Sequence, residues 1–254
     1  MIRRILFFFM LLLCVSGSKA RTIYVLSVGI SHYQNLRDLK KTEMDACDFA
    51  ELYRTHTTHV TLLIGSQATH DNILTQLRRL CSQATEGDIL VFFFSGHGGK
   101  GGLCAYDTKN ELTMVTYEEV QQVIRSCRAK NKQLFIDACY SGGLRLSPSS
   151  TGSSSVSAES SFTDQQGVML FLSSRTNETS MENPWSDNGF YTQYLLKGIK
   201  GGADTNRDRI ITAKEIYTFV SENIIERTNG KQHPVMWGKF NDNMRIMNWN
   251  AAKR

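Results

Sequence analysis

The chain has 254 residues, 41% of them apolar, 10% aromatic and 21% charged, with 29 Lys and Arg against 24 Asp and Glu. This balance excludes a disordered tail protein and a collagen-like repeat, and six cysteines are too few for a disulfide scaffold of this length. A net charge of +5 and a pI near 8.9 would suit nucleic acid only if the basic residues gather on a binding surface, so their positions decide.

Three of them open the chain. Residues 1–20 carry Arg3-Arg4, an apolar run of 11 residues from Ile5 to Val15, and small residues ending in Ser18-Lys19-Ala20. These are the parts of a secretory signal peptide cleaved after Ala20. The run falls short of the roughly 20 residues of a spanning helix, which disfavours the alternative of an uncleaved anchor. Leu13 before Cys14 disfavours a lipid anchor. The expectation is an exported protein, secreted or periplasmic, with no stable membrane span after cleavage. Loss of Arg3, Arg4 and Lys19 leaves 26 basic and 24 acidic residues, a net of +2, and nucleic acid is no longer an expected partner. Five cysteines remain, Cys47, Cys81, Cys104, Cys127 and Cys139, and an odd count in an exported chain leaves at least one free thiol.

In chain order, residues 21–30 read as a buried strand. Residues 42–55 place Met44, Ala46 or Cys47, Phe49-Ala50 and Leu52-Tyr53 at helical spacing against it. Residues 60–64 are a short strand ended by Gly65. Residues 71–80 form a helix with Ile73, Leu74, Leu77 and Leu80 on one face. Residues 88–94 (DILVFFF) suit a strand buried on both sides. After the glycines at 96–102 a hairpin is expected, 103–107 with 112–115. Thr116 and Glu119 form a capping box for a helix to Arg128. Residues 133–137 and 168–173 are further buried strands, 190–199 a helix, and Thr212 with Glu215 caps a last helix running to about Arg227. Strands alternating with helices predict one α/β domain over 21–254 with a mostly parallel sheet. The serine-rich segment 145–167 interrupts this rhythm and is expected to be a surface loop, functional or inert.

Two strand ends carry reactive side chains: Ser95-Gly96-His97-Gly98-Gly99 and Asp137-Ala138-Cys139-Tyr140-Ser141-Gly142-Gly143. In parallel sheets the carboxyl ends of strands face the ligand crevice. A Cys/His pair is a nucleophile with its base, and glycines free nearby N–H groups to bind an oxyanion. Gly96 to Gly101 also fits G-x-G-x-x-G, but extended chain follows where a helix should begin, so nucleotide binding is a distant third reading.

These residues resemble the His and Cys motifs of the caspase-like cysteine peptidases, the metacaspase type above all. The likeness spans most of 22–240 and takes in the Met44-Asp45-Ala46 helix, Ser173-Ser174, Glu182 and Asn188-Gly189-Phe190-Tyr191-Thr192. It implies a caspase-hemoglobinase fold, an α/β domain with a mostly parallel central sheet flanked by helices on both faces. It further implies His97 and Cys139 as the dyad, the Gly98 and Cys139 N–H groups as the oxyanion hole, and Ser173 at the substrate. Caspases have Gln two residues before the nucleophile, whereas this chain has Asp137. In metacaspases that acid and one on the first helix, matched here by Asp45, bind Arg or Lys, and two carboxylates would indeed attract a cation. Tyr140 stands where many metacaspases have His. The serine-rich segment occupies the place of a processing linker, and Arg145 is a candidate for self-cleavage.

The expected activity is that of an exported cysteine endopeptidase, a monomer cutting peptide or protein substrates after Arg or Lys, with no cofactor required. A catalytically silent caspase-like binding module is the alternative. Asp204, Asn206, Asp208 and Glu215 fit the oxygen spacing of an EF-hand calcium loop, but an arginine stands at its turn glycine, so a capped turn is preferred and calcium stays open. Asn177-Glu178-Thr179 is a glycosylation sequon, relevant in a eukaryote.

Overall fold

The structure is a computed structural model that describes residues 21–99, 101–139, 162, 165–175 and 186–250. The signal segment, Arg145, Asn177 and Glu182 lie outside the described residues. The central sheet runs in the order β2-β1-β3-β6-β7-β9, from β1 (Ile23–Gly29), β2 (Val60–Ile64), β3 (Ile89–Gly99), β6 (Asn131–Cys139), β7 (Val168–Leu172) and β9 (Val235–Trp237). All neighbours pair parallel except β9, which closes one edge antiparallel to β7.

The core follows from strand alternation, because successive side chains leave a strand on opposite faces. Leu26, Phe92, Phe94, Leu134, Ile136 and Leu170 face α2 (His70–Gln83) and α3 (Tyr117–Ser126). Val25, Val91, Phe93, Phe135, Met169 and Phe171 face α1 (Thr42–Arg54), α4 (Phe190–Lys197) and α5 (Ala213–Arg227). Both faces of these strands are thus sealed by helices, which explains why they read as unbroken apolar runs. Thr116 and Thr212 each accept from the backbone N–H three residues on, and Glu119 and Glu215 reach back, so both expected capping boxes form. Each is worth on the order of 1 kcal/mol to its helix.

Several expectations need correction. Met44 is exposed, and the apolar face of α1 is Ala46, Phe49, Ala50, Leu52 and Tyr53. The hairpin after the glycines is smaller: β4 (Gly102–Leu103) pairs β5 (Val115–Thr116), while a 3-10 turn occupies Glu111–Thr113. β4 also pairs back onto β3 at Gly98 and Gly99, so those glycines belong to the strand. The carboxyl end of the serine-rich segment is packed structure. Phe162 is fully buried, and Gly167 donates its N–H to Lys239 and accepts from Lys132. β8 (Ile210–Thr212) and β10 (Arg245–Asn248) form a separate two-stranded sheet that the sequence pattern did not indicate. Among the described residues no helix is long and apolar enough to cross a membrane.

Candidate active site

Parallel pairing of β3 with β6 runs through nine register positions, from Ile89 opposite Asn131 to His97 opposite Cys139. His97 and Cys139 are therefore strand partners at adjacent carboxyl ends, not residues of the following loops, and the backbone ladder itself brings them together. Neighbouring strands lie about 4.8 Å apart.

β3 outruns β1 here. The last register pair on that side is Gly29 with Ser95, and the Ile30 N–H still reaches the Ser95 carbonyl. Beyond it the His97 N–H points where β1 has ended. The Tyr33 hydroxyl accepts that N–H at 2.7 Å, in place of a strand. Its ring packs on the imidazole with centroids 4.9 Å apart. A side chain at position 96 would meet the Tyr33 oxygen at 2.5 Å, so Gly96 is what lets the tyrosine approach. The His97 carbonyl accepts from Cys104 N–H at 2.9 Å, and His97 Nε2 lies 2.7 Å from the Arg37 carbonyl oxygen.

A carbonyl only accepts, so Nε2 carries the proton and Nδ1 is left with its lone pair. Burial holds His97 below the ordinary imidazole range, and the Arg37 charge adds to this, against the opposing hydrogen bond to the Arg37 carbonyl. The imidazole is thereby neutral at neutral pH and able to accept a proton at Nδ1. Residues 30–39 supply both Tyr33 and Arg37. Their ends are tied by Leu39 N–H donating to the Ser31 carbonyl, and Asp38 bridges His32 and the Tyr33 N–H. Alternation along β3 turns the Gly98 N–H to the β6 side, just past the last register pair.

Two positions earlier, Ser95 is paired with Asp137. Asp45 on α1 accepts from Ser95 Oγ at 2.8 Å and from Gly189 N–H at 3.1 Å, and is almost fully buried at 2% exposure. Asp137 accepts from Thr192 Oγ1 at 2.8 Å and is also buried. A side chain at Gly189 would sit 3.3 Å from Asp137 Oδ2 and 3.7 Å from Asp45 Oδ2, so the two carboxylates converge on one point. Burial, and then the neighbouring Asp137, pushes the Asp45 carboxyl far above its usual range, although Ser95, Asn188 and Gly189 hydrogen bonds oppose the shift. Asp45 is no solvated helix residue. Ser173, fully buried after β7, donates its N–H to the Ile136 carbonyl and directs its hydroxyl to the Ala138 carbonyl at 3.4 Å.

A caspase-domain family model matches residues 23–244. The chain belongs to the caspase-domain family of peptidases. Solved structures sharing the fold include a structural-genomics target from Geobacter sulfurreducens, 17% identical with a TM-score of 0.66, covering 91% of this chain and 100% of that one. Another is caspase-1 from Spodoptera frugiperda, 18% identical with a TM-score of 0.61, covering 87% of this chain and 90% of that one. No curated protein sequence matches the chain. The caspase fold inferred from the two motifs is thus the observed one, and family membership supports a cysteine peptidase function.

Within this caspase domain, Tyr33, Arg37, Ser95, Gly189 and Thr192 contact His97 or the carboxylates and had no assigned role in the sequence reading. Asn188 to Thr192 was singled out there only as part of a family pattern. The 204–215 segment forms a hydrogen-bonded turn that leads into α5. Asp204 and Asn206 accept from Asp208 N–H, Asp204 also from Arg209 N–H, and Asp208 from Ile210 N–H, while Glu215 serves the Thr212 cap. Among the described residues no group of three or more His, Cys, Asp or Glu is arranged to hold a metal ion. A cavity of about 820 Å³, lined by Arg21, Glu86, Lys130, Lys239 and Arg245 among others, opens at the opposite, amino edge of the sheet and takes in none of these site residues.

Proposed function

We propose that the caspase domain is a cysteine endopeptidase that cuts after Arg or Lys, with Cys139 as nucleophile and His97 as its base. Nδ1 takes the thiol proton, and the thiolate adds to the substrate carbonyl. The Gly98 and Cys139 N–H groups bind the resulting oxyanion. As the tetrahedral adduct collapses, the amine leaves with the proton from His97. Water, deprotonated by the same imidazole, then hydrolyses the acyl-enzyme.

The observation that carries the specificity is the meeting of Asp45 and Asp137 around Gly189, at the strand ends that present His97 and Cys139. A guanidinium or ammonium entering between two buried carboxylates relieves their repulsion and displaces the retained proton, whereas an acidic side chain adds a third like charge. Ser173 lies beside the same strand ends and contributes to the wall of that site. The preserved Cys/His pairing favours an enzyme over a silent binding module.

Export behind the 1–20 signal, a monomeric state and self-cleavage at Arg145 belong to the same reading. No cofactor is required by this chemistry, and calcium at Asp204, Asn206, Asp208 and Glu215 stays open beside it. The test pairs Arg, Lys and Asp reporter peptides with the wild-type chain and Cys139→Ala. Turnover of the Arg and Lys reporters alone, lost in the variant, is expected. Turnover that survives Cys139→Ala, or that prefers the Asp reporter, overturns the reading. A purified chain that stays one intact band while cleaving Arg reporters removes self-processing from it.

A further inference from the structure

We propose that Cys81 and Cys127 are a disulfide-forming pair that fastens α2 to the end of α3. Both side chains belong to one apolar cluster and are nearly sealed from water, at 3% and 5% exposure. Cys81 sits in the last turn of α2, and Cys127 is the residue that ends α3, its N–H donating to the Ile124 carbonyl. The two helices pack against each other, and the two thiols are in contact across that seam. Among the described cysteines this is the pair in contact, so it is independent of Cys139 and of the proposed peptidase chemistry.

The surroundings suit exchange. The contact with Cys81 comes first, then the Ala129 N–H and the Lys132 and Arg128 charges, and together they draw the Cys127 thiol down despite its burial. Lys132 is itself buried, at 8% exposure, beside both sulfurs. Burial opposes ionisation of both thiols, and the neighbouring Lys132 charge favours it.

The oxidant is a low-molecular-weight disulfide of the glutathione type. The thiolate of one cysteine attacks one of its sulfurs and expels a thiolate, giving a mixed disulfide. The other cysteine then loses its proton, attacks the protein-bound sulfur of that mixed disulfide and expels the second thiol. Two protein thiols are oxidised by two electrons, and one small disulfide is reduced to two thiols. Because the sulfurs are buried, exchange requires transient opening of the helix seam and is slow.

The test uses the full chain carrying Cys139→Ala, incubated with oxidised glutathione near pH 8, quenched by alkylation and digested without reduction. Mass spectrometry is expected to show the Cys81 and Cys127 peptides linked, and separated again by dithiothreitol. The Tm is expected to rise by about 5–10 °C, since the bond closes a loop of several tens of residues. Adding Cys81→Ser should remove both results. The map of the chain with both thiols needs no folded Cys81 variant and decides the matter by itself. Complete alkylation of Cys81 and Cys127 after oxidation, or linkage of either to Cys47 or Cys104, overturns the proposal. A linked pair with an unchanged or lower Tm overturns its fastening role.

Discussion

The two halves of the site meet opposite electrostatic conditions on neighbouring positions of the same strands. At His97, a hydroxyl accepts the backbone N–H, a carbonyl takes the ring N–H, and an amide N–H reaches the backbone carbonyl. A neutral imidazole suffers little from burial once these bonds are made. Two residues earlier, at Ser95 and Asp137, two carboxylates are sealed together, and four donors from Ser95, Asn188, Gly189 and Thr192 do not prevent retention of a proton by Asp45. The His97 imidazole is settled by these bonds. The carboxylate pair is not, and the proposed Arg or Lys side chain would complete it. Reactivity and fold stability are therefore aligned at His97 and opposed at Asp45.

The largest effects test the reactive half. Cys139→Ala and His97→Ala are each expected to lower kcat by at least about 1,000-fold, measured with an Arg reporter. The carboxylate half separates activity from stability. Asp45→Asn is expected to lower kcat/KM for Arg and Lys reporters by about 100-fold, the scale for breaking a buried charge contact. It should also raise Tm at pH 8 by a few degrees. The sign follows from linkage: Asp45 holds its proton more tightly folded than unfolded. Between its unfolded and folded pKa values the native state binds more protons, and stability falls as pH rises. Asparagine has no such charge to bury. A Tm that drops at pH 8 in Asp45→Asn would break the contrast between the halves. In the wild type, KM for the Arg reporter should fall as pH rises from 6 to 8, as the retained proton becomes easier to displace.

An intermediate effect belongs to Tyr33. Tyr33→Phe keeps the ring on the imidazole and leaves the His97 N–H without its acceptor, which costs on the order of 1–3 kcal/mol. The expected result is a kcat about tenfold lower with KM within twofold, because the carboxylate half is untouched. A change confined to KM would show that the tyrosine serves substrate contact and not the position of His97.

How far the sequence foretold this arrangement depends on the physical signal each part leaves. The buried strands and both capping boxes were legible, because apolar runs and Thr-x-x-Glu spacing are local and strong. β8, β9 and β10 were not: they are three or four residues each, too short for a periodic signal, and held by partners distant in sequence. His97 and Cys139 stood out as reactive residues next to glycines at strand ends, but their inclusion within the strands did not, since glycine lowers strand propensity. The role of Arg37 rests on a backbone carbonyl, which any residue supplies, and Tyr33 meets His97 across 64 positions. The acidic pair was legible through family likeness, and its burial only through the fold. In the 204–215 turn, Arg207 and Arg209 hold φ of 60° and 65°, a left-handed conformation open to arginine at some cost, so the missing glycine did not change the backbone path.

The smallest effect concerns the exposed pair that ties the 30–39 loop. His32 Nδ1 lies 2.8 Å from Asp38 Oδ2, and both side chains are mostly in solvent. Asp38 raises the His32 pKa, and His32 lowers that of Asp38. A raised folded value means that the pair stabilises the loop fully below the unfolded His value and loses this as pH rises through the folded one. Solvent and salt screen such a contact, and the Leu39 and Ser31 backbone bond holds the loop ends without it. His32→Gln is therefore expected to change kcat by less than twofold at every pH, with the deviation confined to low salt below about pH 7. A tenfold loss on the acid side would mean that a surface ion pair sets the position of the Arg37 carbonyl. The His97 half would then be as conditional as the carboxylate half.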